Sequence, residues 1–467
     1  MSRVQPARSV AFDVVRAVEH DDAYANLLLP QRIVRAGLDP KDAALATELT
    51  YGTLRMRGYY DRVLALAARR PVTAIDPELL DVLRLGAHQL LSTRVATHAA
   101  VDETVSLARE VSGRAGTGFV NGVLRTISRS TPETWRERVL EGATSDDDRI
   151  AAEWSHPTWV VRALRRSLAA EGRADELVDL LAADNVAPRV GLVALPGLST
   201  PDELEGEPGR VSPLAVTSAG GDPSRGEAVR SGRARVQDEG SQLAALALSR
   251  FRPAVPGERW LDLCAGPGGK AALLAAEAAV AGASLVANEV VPARVGLVRQ
   301  ALATVPGDVE VRQGDGRLVG SEAPGRYDRV LLDAPCTGLG ALRRRPEARW
   351  RKQPGDVGEL SALQGELLDS AVAALAPGGV LAYVTCSPHL AETRAVVEAG
   401  LKRHEGVVDL ADAARTVAAV ARPGADLDLA SGPYAQLWPH RHGTDAMFVA
   451  LLVKRGGADG PGPAGVA

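Results

Sequence analysis

The chain contains only three cysteines, Cys264, Cys336 and Cys386, among 467 residues. They are odd in number and far apart, which argues against a disulfide framework, and no close Cys/His pairs give the spacing of a zinc site. No uninterrupted apolar run approaches the roughly 18 residues of a membrane-spanning helix. An amino-terminal apolar core with a small-residue cleavage site is also missing. The expectation is a cytoplasmic protein with no metal and no membrane partner. An excess of either charge is absent too: 54 Lys and Arg against 58 Asp and Glu give a net charge of -4. A wholesale polycation is excluded, so a nucleic-acid partner would have to meet a local basic face. What the chain does have is length for two or three domains and an apolar content of 46%, enough for each to bury a core. Much of that content is alanine, which blurs periodicity, so Gly, Pro and Asp carry more of the signal.

The most informative stretch is Tyr327-Asp-Arg-Val-Leu-Leu-Asp-Ala-Pro-Cys-Thr-Gly-Leu-Gly340. Its apolar run is too short for a helix and ends at Asp333, followed by proline and glycines that force irregular backbone. Asp333 and Cys336 therefore sit at the carboxyl end of a buried strand, the rim where open α/β sheets bind ligands. A second apolar strand, Val380-Leu-Ala-Tyr-Val-Thr-Cys386, delivers another thiol. If the two strands are neighbours, both thiols reach one rim.

Upstream, Ser9 to about Ser128 reads as helices with almost no strand signal. Asp39-Pro40 and Asp76-Pro77-Glu78 are N-caps with proline in the first turn, launching helices over Ala43 to Leu54 and Leu79 to Leu91. Val101 to Val111 and Phe119 to Ile127 supply two more. The segments Thr47-Glu-Leu-Thr-Tyr-Gly-Thr-Leu-Arg55, Leu83-Arg-Leu-Gly-Ala-His-Gln-Leu90 and Phe119-Val-Asn-Gly-Val-Leu-Arg125 resemble the NusB-like RNA-binding domain. That resemblance implies an RNA- or protein-docking module over residues 1–130. Ordinary bundle contacts are the plainer reading of each residue, with Gly52, Gly86 and Gly122 allowing close helix packing. Residues 131–235 read as a linker and a small, loop-rich α+β RNA-binding subdomain, rich in Gly, Pro and Ser beyond Val186. Residues 456–467 form a Gly/Pro/Ala-rich tail expected to be disordered.

Residues 236–455 read as successive α/β units. Trp260-Leu-Asp-Leu-Cys-Ala-Gly-Pro-Gly-Gly-Lys270 is a strand, a glycine-rich turn and a helix start, a form that lets backbone approach a ligand. The spacing is neither the dinucleotide fingerprint nor the P-loop. The next strand ends in Glu289, about 20 residues on, where a ribose hydroxyl pair would be read. A third ends at Gly314-Asp315-Gly316 and a fourth at Asp333, which together describe a nucleoside-binding rim.

The segments Val236-Gln-Asp-Glu-Gly-Ser-Gln-Leu243, Leu261 to Lys270, Asp333-Ala-Pro-Cys-Thr-Gly338, Arg344-Arg-Pro-Glu-Ala-Arg-Trp350, Thr385-Cys-Ser387 and Gly443-Thr-Asp-Ala-Met-Phe-Val-Ala450 together resemble the RsmB/Nop/Sun family of RNA cytosine-C5 methyltransferases, in its RsmB-like branch. The resemblance implies a multidomain fold: an all-α NusB-like bundle, a small α+β connector and an α/β Rossmann-like class I methyltransferase domain. It implies S-adenosyl-L-methionine as cofactor and RNA, small-subunit ribosomal in that branch, as partner. A monomer is the expected state. The implied cofactor residues are Cys264, Ala265, Gly266, Pro267, Gly268, Gly269 and Lys270 around the methionine and ribose, Glu289 on the ribose hydroxyls with Arg294 beside it, Asp315 near the adenine, and Asp333. Where Glu289 stands the family usually has Asp; one extra methylene still permits a ribose contact.

The implied chemistry is covalent. Cytosine C5 is a poor nucleophile until a thiolate adds to C6. By resemblance Cys386 is that nucleophile, Cys336 assists base-driven release, and Asp333 engages N3 and the exocyclic amine. Cys264, before the glycine turn, packs. Lys270 is the motif residue whose charge could favour a thiolate at Cys386. After the catalytic loop, Arg343, Arg344, Arg345, Arg349, Arg351 and Lys352 surround Trp350, a combination suited to phosphates and a stacked base of single-stranded RNA. Two rivals stand beside this reading: a methyltransferase acting on an exocyclic amine or on protein, which needs no thiol, and an RNA-docking adaptor that has lost activity.

Overall fold

A computed structural model describes residues 4–456. Of the expected tail, all but Gly456 lies outside the described residues. The chain divides into two compact units: one comprises residues up to 165 together with 173–186 and 342–352, the other 166–172, 187–341 and the chain from 353 onward. Among the described residues no helix is long and apolar enough to cross a membrane.

The first unit is built of helices, including Pro6–His20, Ala25–Arg35, Pro40–Arg55, Arg57–Ala68, Pro77–Ser92, Thr97–Ile127, Pro132–Glu141 and Asp146–Glu153. The two Asp-Pro starts behave as their sequence dictates. Asp39 accepts the Asp42 N–H and Asp76 those of Glu78 and Leu79, with Pro40 and Pro77 in the first turn, where a missing N–H costs nothing. The helices expected over Val101 to Val111 and Phe119 to Ile127 are two parts of Thr97–Ile127, broken at Gly113, whose φ of 70° and ψ of -152° are not helical. Gly52 and Gly86 do permit close packing: a β-carbon would stand 2.2 Å from the His88 ring at the first and 2.7 Å from Leu124 at the second. Gly122 does not, since a β-carbon there meets nothing within 4 Å.

The expected division at 131 is a change of surface composition with no break in the core beneath it. Trp135, Val139, Leu140 and Ala152 belong to the same apolar cluster as Phe12, Leu49, Leu83 and Leu124. The indole N–H of Trp135 donates to the Ile127 carbonyl at 2.9 Å. Helix Leu177–Asp184 is also part of this unit, so the stretch treated as one connector, 131–235, separates near 186.

The second unit holds two sheets. In chain order its strands are β1 Gly191–Ala194, β2 Gly206–Pro208, β3 Ala215–Ser218, β4 Ala234–Val236, β5 Arg259–Asp262, β6 Ser284–Glu289, β7 Val309–Gln313, β8 Tyr327–Asp333, β9 Leu375–Thr385, β10 Val408–Ala411, β11 Tyr434–Gln436 and β12 Phe448–Lys454. The first four form a small antiparallel sheet in the order β2-β3-β1-β4. The large sheet runs β10-β12-β9-β8-β5-β6-β7, with β11 beside β12. Its parallel core, β7-β6-β5-β8-β9, changes winding direction at β5, so the carboxyl ends of β5 and β8 flank a topological switch point. The central strands β8 and β9 are buried on both faces, and Val330, Leu331, Leu332, Val380, Leu381 and Ala382 are fully enclosed, whereas edge strand β7 is partly exposed. That burial fixes register, and register places Asp333 beside Val384, two residues before Cys386.

Candidate active site

The rim above β5, β8 and β9 carries the residues singled out in the sequence. β8 and β9 are neighbours, and past their ends the Ala334 N–H donates to the Val384 carbonyl at 2.8 Å and the Gly340 N–H to the Cys386 carbonyl at 2.8 Å. These bonds fold the Cys336 loop back over the Cys386 loop. The sulfur atoms stand 3.5 Å apart, both partly buried. The hydrogen bond with Cys386, burial, and the charges of Cys386 and Glu392 push the Cys336 thiol well above its ordinary range.

Beside the thiols, Lys270 donates to Oδ2 of Asp333 at 2.8 Å. Burial alone would lower the lysine pKa; the charge and hydrogen bond of Asp333, aided by Cys386, outweigh burial and raise it. Lys270 therefore holds its proton, and its charge faces both Asp333 and the nucleophile candidate. Asp262, at the end of β5, joins these residues although it belongs to none of the expected site positions. Only 1% exposed, its carboxyl is pushed up to about 8 by burial and then by the charge of Asp333, against the pull of Lys270. Its signal was present in the Leu261-Asp-Leu sequence, where an acid occupies an otherwise apolar strand.

The glycine turn from Ala265 to Gly269 opens helix Gly269–Ala281. The Gly266 N–H donates to Oε2 of Glu289 at 3.0 Å, and a β-carbon at 266 would lie only 2.2 Å from that oxygen. Gly268 adopts a φ of 108°, a conformation for glycine, and a β-carbon there would meet Ala301 at 2.5 Å. Pro267 is exposed, while Ala265 is buried. Cys264 packs against the apolar cluster of Leu261 and Leu263, its thiol pushed well up by burial and the charge of Asp262. Glu289 is buried at the end of β6 and also accepts the Val291 N–H at 2.8 Å. Arg294 is exposed, with its Cβ near Gly266. Asp315 caps helix Gly316–Glu322 and pairs with Arg317 at 2.6 Å, which holds its carboxyl below the usual range. Asn288, not anticipated, ties the rim together by donating to the carbonyls of Leu263 at 3.1 Å and Gly314 at 3.0 Å.

The basic segment after the catalytic loop requires correction. Residues 342–352 belong to the helical unit, and Arg349 is fully buried there. Its guanidinium donates to the carbonyls of Ser155 at 3.1 Å, Asp184 at 3.3 Å and Arg55 at 3.4 Å, and to Oδ1 of Asn185 at 2.9 Å. Burial lowers its pKa to about 10. Arg351 donates to the carbonyls of Val18 at 2.6 Å and Asp22 at 3.3 Å and to that of Ala23. Trp350 lies under Arg57, 5.7 Å from its ring, and against Gly58. Arg349 is closed to phosphate, and Arg351 and Trp350 are engaged in holding helices. Arg343 is buried, Arg344 and Lys352 are half-buried, and exposed Arg345 stands 5.7 Å from the Tyr24 ring. The Gln237 to Leu243 motif is likewise structural. Glu239 accepts the N–H groups of Arg210, Val211 and Ser212, and Asp238 those of Gly240 and Asp445. Among the described residues no group of His, Cys, Asp and Glu could hold a metal ion.

The RsmB/F 16S rRNA methyltransferase family model matches residues 252–453, and the NusB family model matches 5–129. A presumed methyltransferase of Mycobacterium tuberculosis is 50% identical over 455 residues, covering 96% of each chain. The chain belongs to the RsmB/F family. The ribosomal RNA small subunit methyltransferase B of Pseudomonas putida is 32% identical over 97% of this chain and 98% of its own, and that of Erwinia tasmaniensis 31% over 97% and 100%. The solved structure of PH0851 shares the fold, with a TM-score of 0.78 at 22% identity over 97% of this chain and 99% of that one. As an RsmB/F member the chain is an S-adenosylmethionine-dependent methyltransferase, and transfer to cytosine C5 is typical of its family.

Proposed function

We propose that the protein methylates C5 of a cytosine in small-subunit ribosomal RNA through a covalent adduct between Cys386 and C6. The observation that carries this reading is the 3.5 Å separation of the Cys336 and Cys386 sulfurs beside the Lys270–Asp333 pair. A methyltransferase acting on an exocyclic amine has no use for two adjacent thiols.

The residues present suit S-adenosylmethionine. The glycine turn leaves Gly269 with open space where a β-carbon would project, the N–H groups of a helix start lie behind it, and carboxylates end β6 and follow β7. Residues 264–270 would hold the methionine part, Glu289 the ribose with Arg294 alongside, and Asp315 the adenine edge. When bound, the cofactor supplies an electrophilic methyl group on a sulfonium.

The protein's own groups prepare the base. Lys270 offers positive charge that favours the thiolate at Cys386. That thiolate adds to C6, and the displaced electron pair makes C5 nucleophilic. Asp333 orients the cytosine through N3 and the exocyclic amine, and the proton held on Lys270 is available through it as negative charge grows on the ring. Once C5 carries both methyl and hydrogen, the C5 proton passes to the Cys336 sulfur as that thiol gives its own proton to the departing Cys386, and the pair returns to the C5–C6 bond. Cys336, in contact with the departing sulfur, assists that release. A cytosine must leave its stack to present C6, so a loop or flipped nucleotide is the expected target.

Incubating small-subunit RNA or particles from cells lacking the protein with enzyme and cofactor, followed by bisulfite mapping, tests the assignment. One newly protected cytosine is expected with the wild type and none with Cys386→Ala. Protection by the alanine variant at the wild-type rate would refute the covalent reading.

A further inference from the structure

Each of the two cysteines is followed by a hydroxyl residue, Thr337 after Cys336 and Ser387 after Cys386. Both are buried, and both hydroxyls donate to the same atom, Oε2 of Glu392. The hydroxyl oxygens are 3.1 Å from each other. Oε1 of the same carboxyl accepts the Thr337 backbone N–H at 2.7 Å and the Gln364 amide at 3.4 Å. Gln364 in turn donates to the Pro335 carbonyl at 2.8 Å, one residue before Cys336. The Tyr383 hydroxyl donates to the Glu392 carbonyl at 2.7 Å. Glu392 is 0% exposed and ends the short turn Leu390–Glu392. One side chain is thus the common acceptor for the loops that carry both thiols.

A buried carboxyl surrounded by neutral donors is an expensive way to fill a core, because those donors offset only part of the desolvation of the charged form. What it provides that an apolar residue cannot is a single point to which two independent loops are tied. We propose that Glu392 is a positioning residue that fixes Cys336 against Cys386 by clamping Thr337 and Ser387, and so sets the sulfur separation at which product is released. The inference rests on the covalent reading above. It is consistent with Glu392 being one of the groups, after Cys386 and burial, that keep the Cys336 thiol protonated.

The test uses the full chain with Glu392→Gln, which keeps the volume but turns an amide N–H group toward the donors. Cofactor affinity is expected within about twofold of wild type, and the KM for RNA should fall together with kcat, because slowing only the release that follows methyl transfer leaves kcat/KM unchanged. The kcat should fall on the order of 10- to 100-fold, as displacements of about 1 Å do. An RNA adduct stable to denaturing electrophoresis should accumulate although both cysteines are present. A packing role alone would lower stability without trapping the adduct. If Glu392→Gln fails to fold, Ser387→Ala carries the test, with the same parallel fall of kcat and KM and the same trapped adduct. Wild-type turnover, or a loss confined to cofactor binding with no trapped adduct, overturns the clamp. Cys386→Ala separates the two levels: an inactive Cys386→Ala beside a fully active Glu392→Gln removes the clamp alone, whereas an active Cys386→Ala removes the covalent reading and the clamp with it.

Discussion

Replacing Gly266 by alanine places a β-carbon 2.2 Å from Oε2 of Glu289, 3.0 Å from its Cδ and 3.1 Å from Cβ of Arg294. Glu289 is 4% exposed, so its carboxyl has little space into which to retreat. Any retreat breaks the hydrogen bond from the Gly266 N–H, now 3.0 Å long. A hydrogen bond to a charged group contributes about 1.5 to 3 kcal/mol, and each 1.4 kcal/mol is about tenfold in affinity. With Glu289 reading the ribose, S-adenosylmethionine binding should therefore weaken roughly ten- to a hundredfold. Isothermal titration of the cofactor or its demethylated product into the variant measures this directly. Gly269→Ala is the companion, because its β-carbon meets nothing within 4 Å of protein. It should leave the thermal stability of the free protein unchanged, or raise it by up to about 1 kcal/mol through helix propensity. Cofactor affinity within twofold of wild type for Gly266→Ala would refute the assignment of Glu289 and the tightness of this turn together.

Arg349→Leu should destabilise the helical unit by about 3 to 5 kcal/mol in urea unfolding, because it strands the acceptors at Ser155, Asp184 and Asn185. Arg349→Lys should not restore it, since one ammonium cannot reproduce the planar fork; weakened RNA binding at unchanged stability would instead return Arg349 to a phosphate-binding role. Asp262→Asn should become progressively more stable than wild type as pH rises from about 4 to about 8, and the difference should level off above that. The sign follows from a folded pKa above the unfolded one: the folded state binds the extra proton, and wild-type stability falls as that proton is lost. A pH-independent difference in unfolding free energy would contradict the burial of a protonated carboxyl there.

The rim was legible because its chemistry follows local punctuation. An apolar run closed by Asp333, then Pro335 and Gly338, can only be a strand feeding a loop, and the run ending at Cys386 repeats the form. Burial on both faces then left one register in which the thiols meet. The strands between 187 and 236 were not legible because they are three or four residues long and β2 ends in proline. Too few positions remain there for alternation to show. The role of Arg349 is illegible for a different reason: an arginine satisfied by backbone carbonyls looks, in sequence, like any member of a basic cluster. Glu392 was missed because its partners come from two loops and a helix whose convergence no spacing reveals. The extent of the helical unit was hidden by the polar surface of Pro132–Glu141, whose inward face, Trp135 and Val139, joins the core upstream.

The most direct test of the two-thiol account is to mix Cys336→Ala with target RNA and S-adenosylmethionine, resolve the products on a denaturing gel, and map any RNA-linked peptide by mass spectrometry. The account predicts a stable protein–RNA species whose attachment lies at Cys386 and which vanishes when Cys386 is also replaced. Free methylated RNA released at the wild-type rate, or attachment at Cys264, would contradict it.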